Sequence, residues 1–150
     1  MIDKKDNQFL ATNVKGLMMT LIARWNGRMD GEQMKTEFAG IRPSDMRVFG
    51  NMRGRSMRLS AIHREMGFSR QAAQQAVSRL VGHDMVRIEP LADNRRDKMV
   101  VITEKGHRWR TEAARQIRDI EAACAAVIGA DGVEALRDLL LRLIEEEGPA

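Results

Sequence analysis

Residues 59–81, "LSAIHREMGFSRQAAQQAVSRLV", constrain the fold of this 150-residue chain more tightly than any other stretch. Two short amphipathic segments follow one another with only a Gly-containing turn between them. In the first, Ser60 reads as the cap, Ile62 and Met66 share a face, and Gly67 is the stop, because glycine enters the left-handed conformation without steric cost. In the second, Ser69 reads as the N-cap. Ala73, Ala76, Val77 and Leu80 then recur at helical spacing on one side, with Gln71, Gln74, Gln75 and Ser78 on the other. Inward side chains this small let two helices cross closely while the second projects its polar face, which is the geometric requirement of a helix-turn-helix.

Directly behind it, "MVRIE" (85–89) and "KMVVIT" (98–103) are rich in β-branched residues and flank a charged, Pro-containing loop, "PLADNRRD". That pattern predicts a β-hairpin with a long basic tip, a wing. Before it, Leu10, Val14, Leu17, Met18, Leu21, Ile22 and Trp25 predict an amphipathic helix over 7–26 that "NGRMDG" breaks. A weaker helix is expected at about 32–39, ending at Gly40. "RPSDMRVFGNM" starts another, with Pro43 in its first turn and Met46, Phe49 and Met52 as its buried edge. Thr103 caps a long helix to about residue 127, and Ala130–Glu147 form a last one with a stripe of Leu136, Leu139, Leu140, Leu143 and Ile144. The terminal stripes carry more apolar surface than a lobe of this size needs, so they point to a second copy of the chain. The expected fold is mainly α with a small β-hairpin wing: a winged helix-turn-helix with N- and C-terminal dimerisation helices. It is read as one domain over 1–150, with dimerisation helices at 7–40 and 107–147 around a winged-helix lobe at 41–106.

Composition narrows the function classes. The longest apolar run, "GLMMTLIA", falls well short of the roughly 20 residues that span a bilayer, and "MIDKKDNQ" lacks the apolar core of a signal peptide, so no membrane is implicated and a cytoplasmic protein is expected. The single cysteine cannot form an internal disulfide, and His63, His83 and His107 lack partners at zinc-ligand spacing, so neither metal nor cofactor is expected. No carboxylate pair flanks a histidine, no nucleophile motif occurs, and "GRMDGE" lacks the lysine and spacing of a phosphate-binding loop. The chain does not read as an enzyme. Its net charge of +4 conceals an asymmetry: residues 42–110 hold 15 Lys and Arg against 7 Asp and Glu, while the flanks are net acidic. A polyanion is expected to dock in the middle.

The side chains there suit duplex DNA. A glutamine amide donates and accepts in one plane, matching N6 and N7 of adenine in the major groove, which makes Gln71, Gln74 and Gln75 candidates for reading bases. Arg70 and Arg79 lie at the edges of that face, within reach of phosphates or a guanine edge. Ser69 and the helix amino terminus are placed to receive a phosphate. Ser78 and Lys98 complete the set of DNA-binding candidates. Arg95 and Arg96 sit at the wing tip, where the negative potential of a minor groove attracts a narrow cation, with Asp93 or Asn94 to hold an Arg rotamer. A polar helix face or an Arg pair in isolation is ordinarily solvated surface. The order of helix, turn, helix, strand, basic loop and strand inside the basic segment is what points to DNA.

Residues 59–106, above all "SRQAAQQAVSRL" and "NRRDKMVVITEKG", closely resemble the winged helix-turn-helix of MarR-type bacterial transcriptional regulators, and the flanking helices match that family's dimerisation region in pattern. The resemblance implies a homodimer that binds a palindromic operator in double-stranded DNA, a repressor released by a small aromatic or anionic ligand. It places a ligand pocket between the dimerisation helices and the lobe, with Trp25, Met46, Arg47 and Phe49 as candidates. Aligned on Thr103, Arg96 takes the family's minor-groove Arg position and Asn94 its Asp position. Asp84 stands where the family has Gly, and an Asp adopts the left-handed conformation at modest cost. Cys124 shares an apolar stripe with Ile117, Ile120, Val127 and Ile128 and reads as a buried side chain rather than a sensor thiol. The alternative is a winged-helix protein-interaction or non-specific nucleic-acid-binding module.

Overall fold

Asn13 divides the amino-terminal helical stretch. The computed structural model, which describes residues 1–148, has α1 at Lys4–Thr12 and α2 at Val14–Gln33. Asn13 between them is extended (φ −70°, ψ 154°). Its side chain donates to the Leu10 carbonyl at 2.9 Å and accepts from the Gly16 N–H at 2.8 Å, so one amide serves the end of one helix and the start of the next. The expected break at "NGRMDG" does not occur: α2 runs through Gly27 and Gly31 to Gln33. A glycine inside a helix costs only about 1 kcal/mol relative to alanine, too little to end a helix that is otherwise hydrogen-bonded.

The expected helix at about 32–39 is replaced by turns. The Thr36 hydroxyl donates to the Gln33 carbonyl at 2.7 Å and accepts from the Phe38 N–H, while the buried Gln33 amide donates to the Phe38 carbonyl at 2.9 Å. Side chains here take over bonds that a helical backbone would make. Met1–Ala39 form one compact unit. Its apolar side chains Phe9, Leu10, Val14, Leu17 and Ile22 are exposed.

A second compact unit begins at Gly40. It consists of α3 (Pro43–Asn51), β1 (Met57–Arg58), α4 (Leu59–Met66), α5 (Arg70–Gly82), β2 (Val86–Pro90), β3 (Lys98–Ile102) and α6 (Glu104–Glu147). The strands form an antiparallel sheet in the order β1-β3-β2, with β2 and β3 in register from Val86↔Ile102 to Pro90↔Lys98. Two residues are too few to show alternation, which is why β1 escapes a reading of the sequence. Phe49, Met52, Ile62, Leu80, Met85, Val86 and Val100 are fully buried and draw α3, α4, α5 and the sheet onto one core. Burying a side chain of this size stabilises by roughly 1.5–3 kcal/mol.

Thr103 forms the joint between sheet and α6. Its Oγ1 accepts from the Gly106 N–H at 3.1 Å and lies within bonding reach of the Asp84 and Met85 carbonyls. Asp84 takes the left-handed conformation expected of it (φ 59°). Farther along, Gly129 (φ 79°) breaks α6 into two arms near the boundary that the sequence pattern predicts. Arg137 of the second arm reaches Glu121 of the first at 2.7 Å, so the arms fold back on one another. Glu121 is held below the usual carboxylate range by that guanidinium. Val127, Ile128, Leu136, Leu139, Leu143 and Ile144 are exposed along the arms. Cys124 is half-buried rather than buried as expected, because the stripe it shares with Ile117, Val127 and Ile128 is largely uncovered.

Positions 149 and 150 of the expected domain lie outside the described residues. Among those described, no helix is long and apolar enough to cross a membrane, and no group of His, Cys, Asp and Glu is arranged to hold a metal ion.

Gly106 tests the joint. A Cβ there would collide with the Met85 carbonyl oxygen and the Ile102 side chain and press on the Phe49 ring. Gly106→Ala is therefore expected to destabilise by about 1–3 kcal/mol in urea unfolding, the usual range for overpacking. An unchanged midpoint would show that α6 does not seat on the sheet in this way.

Candidate nucleic-acid interface

The interface begins with two caps. Gly67 takes φ 67° and ends α4, and the Ser69 hydroxyl accepts from the Ala72 N–H at 3.0 Å to start α5, both as expected. Ser60 does not cap α4. Arg58 occupies that position without a side-chain capping bond to the helix, and Ser60 lies one residue inside the first turn, where its hydroxyl is claimed by Asp97. At the turn, His63 Nδ1 lies 3.0 Å from the Phe68 carbonyl.

Along α5 the two faces separate as the spacing predicts. Ala73, Ala76, Val77 and Leu80 are buried, and Gln71, Gln74, Gln75 and Ser78 are exposed. Gln71, Gln74, Gln75 and Ser78 stand at i, i+3, i+4 and i+7, so they share one surface of the helix. Arg70, in the first turn, is exposed beside them.

The wing is fastened to α4 rather than hanging free. Asp97 accepts from the Ser60 hydroxyl at 2.6 Å, from the Ser60 N–H at 3.3 Å and from the Lys98 N–H at 2.9 Å. These bonds, the Ser60 hydroxyl first, hold its carboxyl below the usual aspartate range. A second tie joins the Arg58 guanidinium to Asp93 at 3.0 Å and lowers that carboxyl as well. The expectation that Asp93 holds a wing arginine is corrected accordingly: its partner is Arg58, which antiparallel pairing of β1 with β3 brings to the loop. Asn94 binds the backbone N–H of Arg96 at 3.0 Å and so shapes the loop rather than the guanidinium. Arg95 and Arg96 are exposed and hold no ion pair among the described residues. Lys98, at the foot of the wing opposite Pro90, is half-buried.

These elements meet in a groove of about 210 Å³ between the start of α5 and the wing, lined by Arg70 and Gln74 on one side, Asn94, Arg96 and Asp97 on the other, and Leu59 and Ser60 at the base. Recognition-helix and wing candidates far apart in sequence thus share one surface. Arg79 is differently placed. Its guanidinium donates through Nε and Nη2 to both carboxylate oxygens of Asp45, at 2.8 and 2.9 Å, and that bond holds its pKa above the ordinary arginine value. Of the ligand-pocket candidates, Met46 and Phe49 are sealed in the core of the second unit, Arg47 lies on the exposed side of α3, and Trp25 belongs to the first unit. Sequence reasoning missed Asp45 and Arg58. The only signal for Asp45 is an acidic residue in a helix first turn, which ordinarily means a favourable helix dipole and no more.

The same fold recurs among solved structures. MarR from E. coli in its apo form superposes with a TM-score of 0.72 at 16% identity, covering 89% of this chain and 97% of that one. A MarR transcriptional regulator from Methanosarcina mazei Go1 gives 0.73 at 14% identity over 91% and 97%. Streptococcus pneumoniae FabT, whose structure is a complex with DNA, gives 0.71 at 11% identity over 87% and 92%. No protein-family model and no curated protein sequence matches the chain. The fold is the MarR-type winged helix, as the resemblance implies.

The Asp97 latch has a definite pH signature. A carboxyl lowered in the folded state stabilises fully above its unfolded value and loses that contribution as pH falls through the lowered one. The Ser60 amide resonance is expected to titrate with a midpoint below the ordinary aspartate value of about 3.9, and Asp97→Asn is expected to abolish that transition. A midpoint at or above the ordinary value would contradict the latch.

Proposed function

We propose that this chain is a homodimeric, sequence-specific DNA-binding regulator of transcription, a repressor that a small aromatic or anionic ligand releases from a palindromic operator. The observation that carries the reading is the groove itself, where an exposed glutamine face and an unpaired wing arginine converge. In this reading α5 lies in the major groove, with Gln71, Gln74 and Gln75 against base edges and Ser78 beside them. Ser69, the α5 amino terminus and Arg70 take backbone phosphate. Arg95 or Arg96 enters the adjoining minor groove, with Lys98 at its rim.

Support for the dimer comes from the apolar side chains exposed along α1, α2 and both arms of α6. Two lobes about a twofold axis would meet half-sites about one helical turn, or 10 base pairs, apart. FabT, which shares the fold and whose structure is a complex with DNA, supports DNA as the partner. Repression and its release by a ligand rest on the resemblance to the MarR family. The absence of any catalytic constellation in the sequence favours a binding role over an enzymatic one.

Fluorescence anisotropy on duplexes tests the reading. Gln74→Ala or Gln75→Ala is expected to weaken the preferred duplex by about 1–3 kcal/mol and to relax base preference at that position; unchanged preference would remove this face from the contact. Replacing Arg95 and Arg96 together by alanine is expected to weaken binding to every duplex and to flatten the salt dependence by up to about two units of slope. An unaltered slope would take the wing off the DNA. A steep salt slope with no preference among duplexes in the wild type would favour the non-specific module instead. Light scattering is expected to give the mass of two chains, and the mass of one would remove the dimer.

A further inference from the structure

Asp45 has no place in the interface, yet it is the most deeply buried carboxylate partner of the helix that forms it. The residue is 1% exposed at the start of α3, and both of its oxygens are taken by Arg79, whose side chain is 36% exposed near the end of α5. The other inward contacts of α5 are Ala73, Ala76, Val77 and Leu80. Small apolar contacts hold a helix close to its neighbours but are non-directional, so they resist withdrawal better than rotation. A fork of two parallel N–H···O bonds is directional: it fixes the plane of the guanidinium against the carboxylate. Turning a helix of about 6 Å radius by about 15° carries a surface group roughly 1.6 Å. Recognition geometry tolerates about 0.5 Å.

We infer that the Asp45–Arg79 fork sets the rotation of α5 about its axis and thereby aims Gln71, Gln74 and Gln75. Asp45 is on this account a positioning residue for base selection, and Arg79 acts on the DNA through Asp45 rather than as one more phosphate contact. The inference rests on the reading of α5 as the base-contacting helix.

The test compares a duplex selected by the wild-type protein from a random pool with a shuffled duplex of the same composition, using the full chain and monitoring helix content by circular dichroism. Asp45→Asn, Arg79→Gln and Arg79→Lys are each expected to lower the ratio of selected to shuffled affinity at least about tenfold. Affinity for the shuffled duplex should stay within about threefold of wild type, and the salt slope should be unchanged. Because the two residues act through one contact, Asp45→Asn combined with Arg79→Gln is expected to cost no more than either alone.

Arg79→Lys separates the two roles, since lysine keeps the charge but cannot form the fork. If Asp45→Asn and Arg79→Lys retain the ratio while Arg79→Gln weakens both duplexes and lowers the slope by about one, Arg79 is a phosphate contact and the inference falls. Equal weakening of both duplexes together with loss of helix content would reduce the pair to a structural tie and would also overturn it. A wild-type protein without preference would overturn the reading of α5 itself, and that result is seen before any variant is made.

Discussion

The division of α5 into two faces governs the rest of the second unit. Thirteen residues give a helix of fewer than four turns, and one of its faces is committed to a core that Leu80 shares with Ile62, Met85 and Val100. The inward residues are mostly Ala and Val, so α5 settles close to its neighbours and the opposite face stands clear of the lobe. The placement of the exposed glutamines follows from that seat. The Ser69 cap fixes where the helix begins, Gly67 fixes the turn into it, and the sheet beyond His83 returns the wing to its amino-terminal end, where the groove forms.

Electrostatics supplies the precision that apolar packing lacks. Three carboxylates of the second unit are spent on internal positions: Asp45, away from the interface, on Arg79, Asp93 on Arg58, and Asp97 on Ser60 and the Lys98 N–H. The cations left over, Arg70, Arg95 and Arg96, are exposed on the groove or at the wing tip. The carboxylate that lines the groove, Asp97, is held by Ser60 and the Lys98 N–H, while Arg70 and Arg96 line the same groove as cations. Of these ties only Arg58–Asp93 is an ion pair exposed on both sides, and exposed ion pairs contribute little to stability. Their value here is geometric, since they hold a loop and a helix in one relative setting.

Much of this was legible in the sequence, and what was not shares a cause. The α4–Gly67–α5 unit, the hairpin, the Thr103 cap and the break near Gly129 all rest on local signals: helical spacing, capping chemistry and glycine. The failures arise where a side chain's partner is distant or where a weak local signal is overruled. "NGRMDG" carries two glycines, yet α2 passes through them. Ser60 has the chemistry of a cap, but a residue 37 positions away holds its hydroxyl. Nothing local reveals the Asp45 partner of Arg79, 34 positions earlier. Met46 and Phe49, pocket candidates by resemblance, are buried, as large apolar residues on a short helix ordinarily are.

The central claim is that the polar face of α5 selects DNA sequence, in a protein that presents two such faces. Selection of bound duplexes from a random pool by the unaltered 150-residue chain tests it most directly. The account predicts enrichment of a palindrome whose half-sites lie about 10 base pairs apart centre to centre. A pool that remains unenriched after repeated rounds, although the protein retains duplexes at low salt, would contradict it.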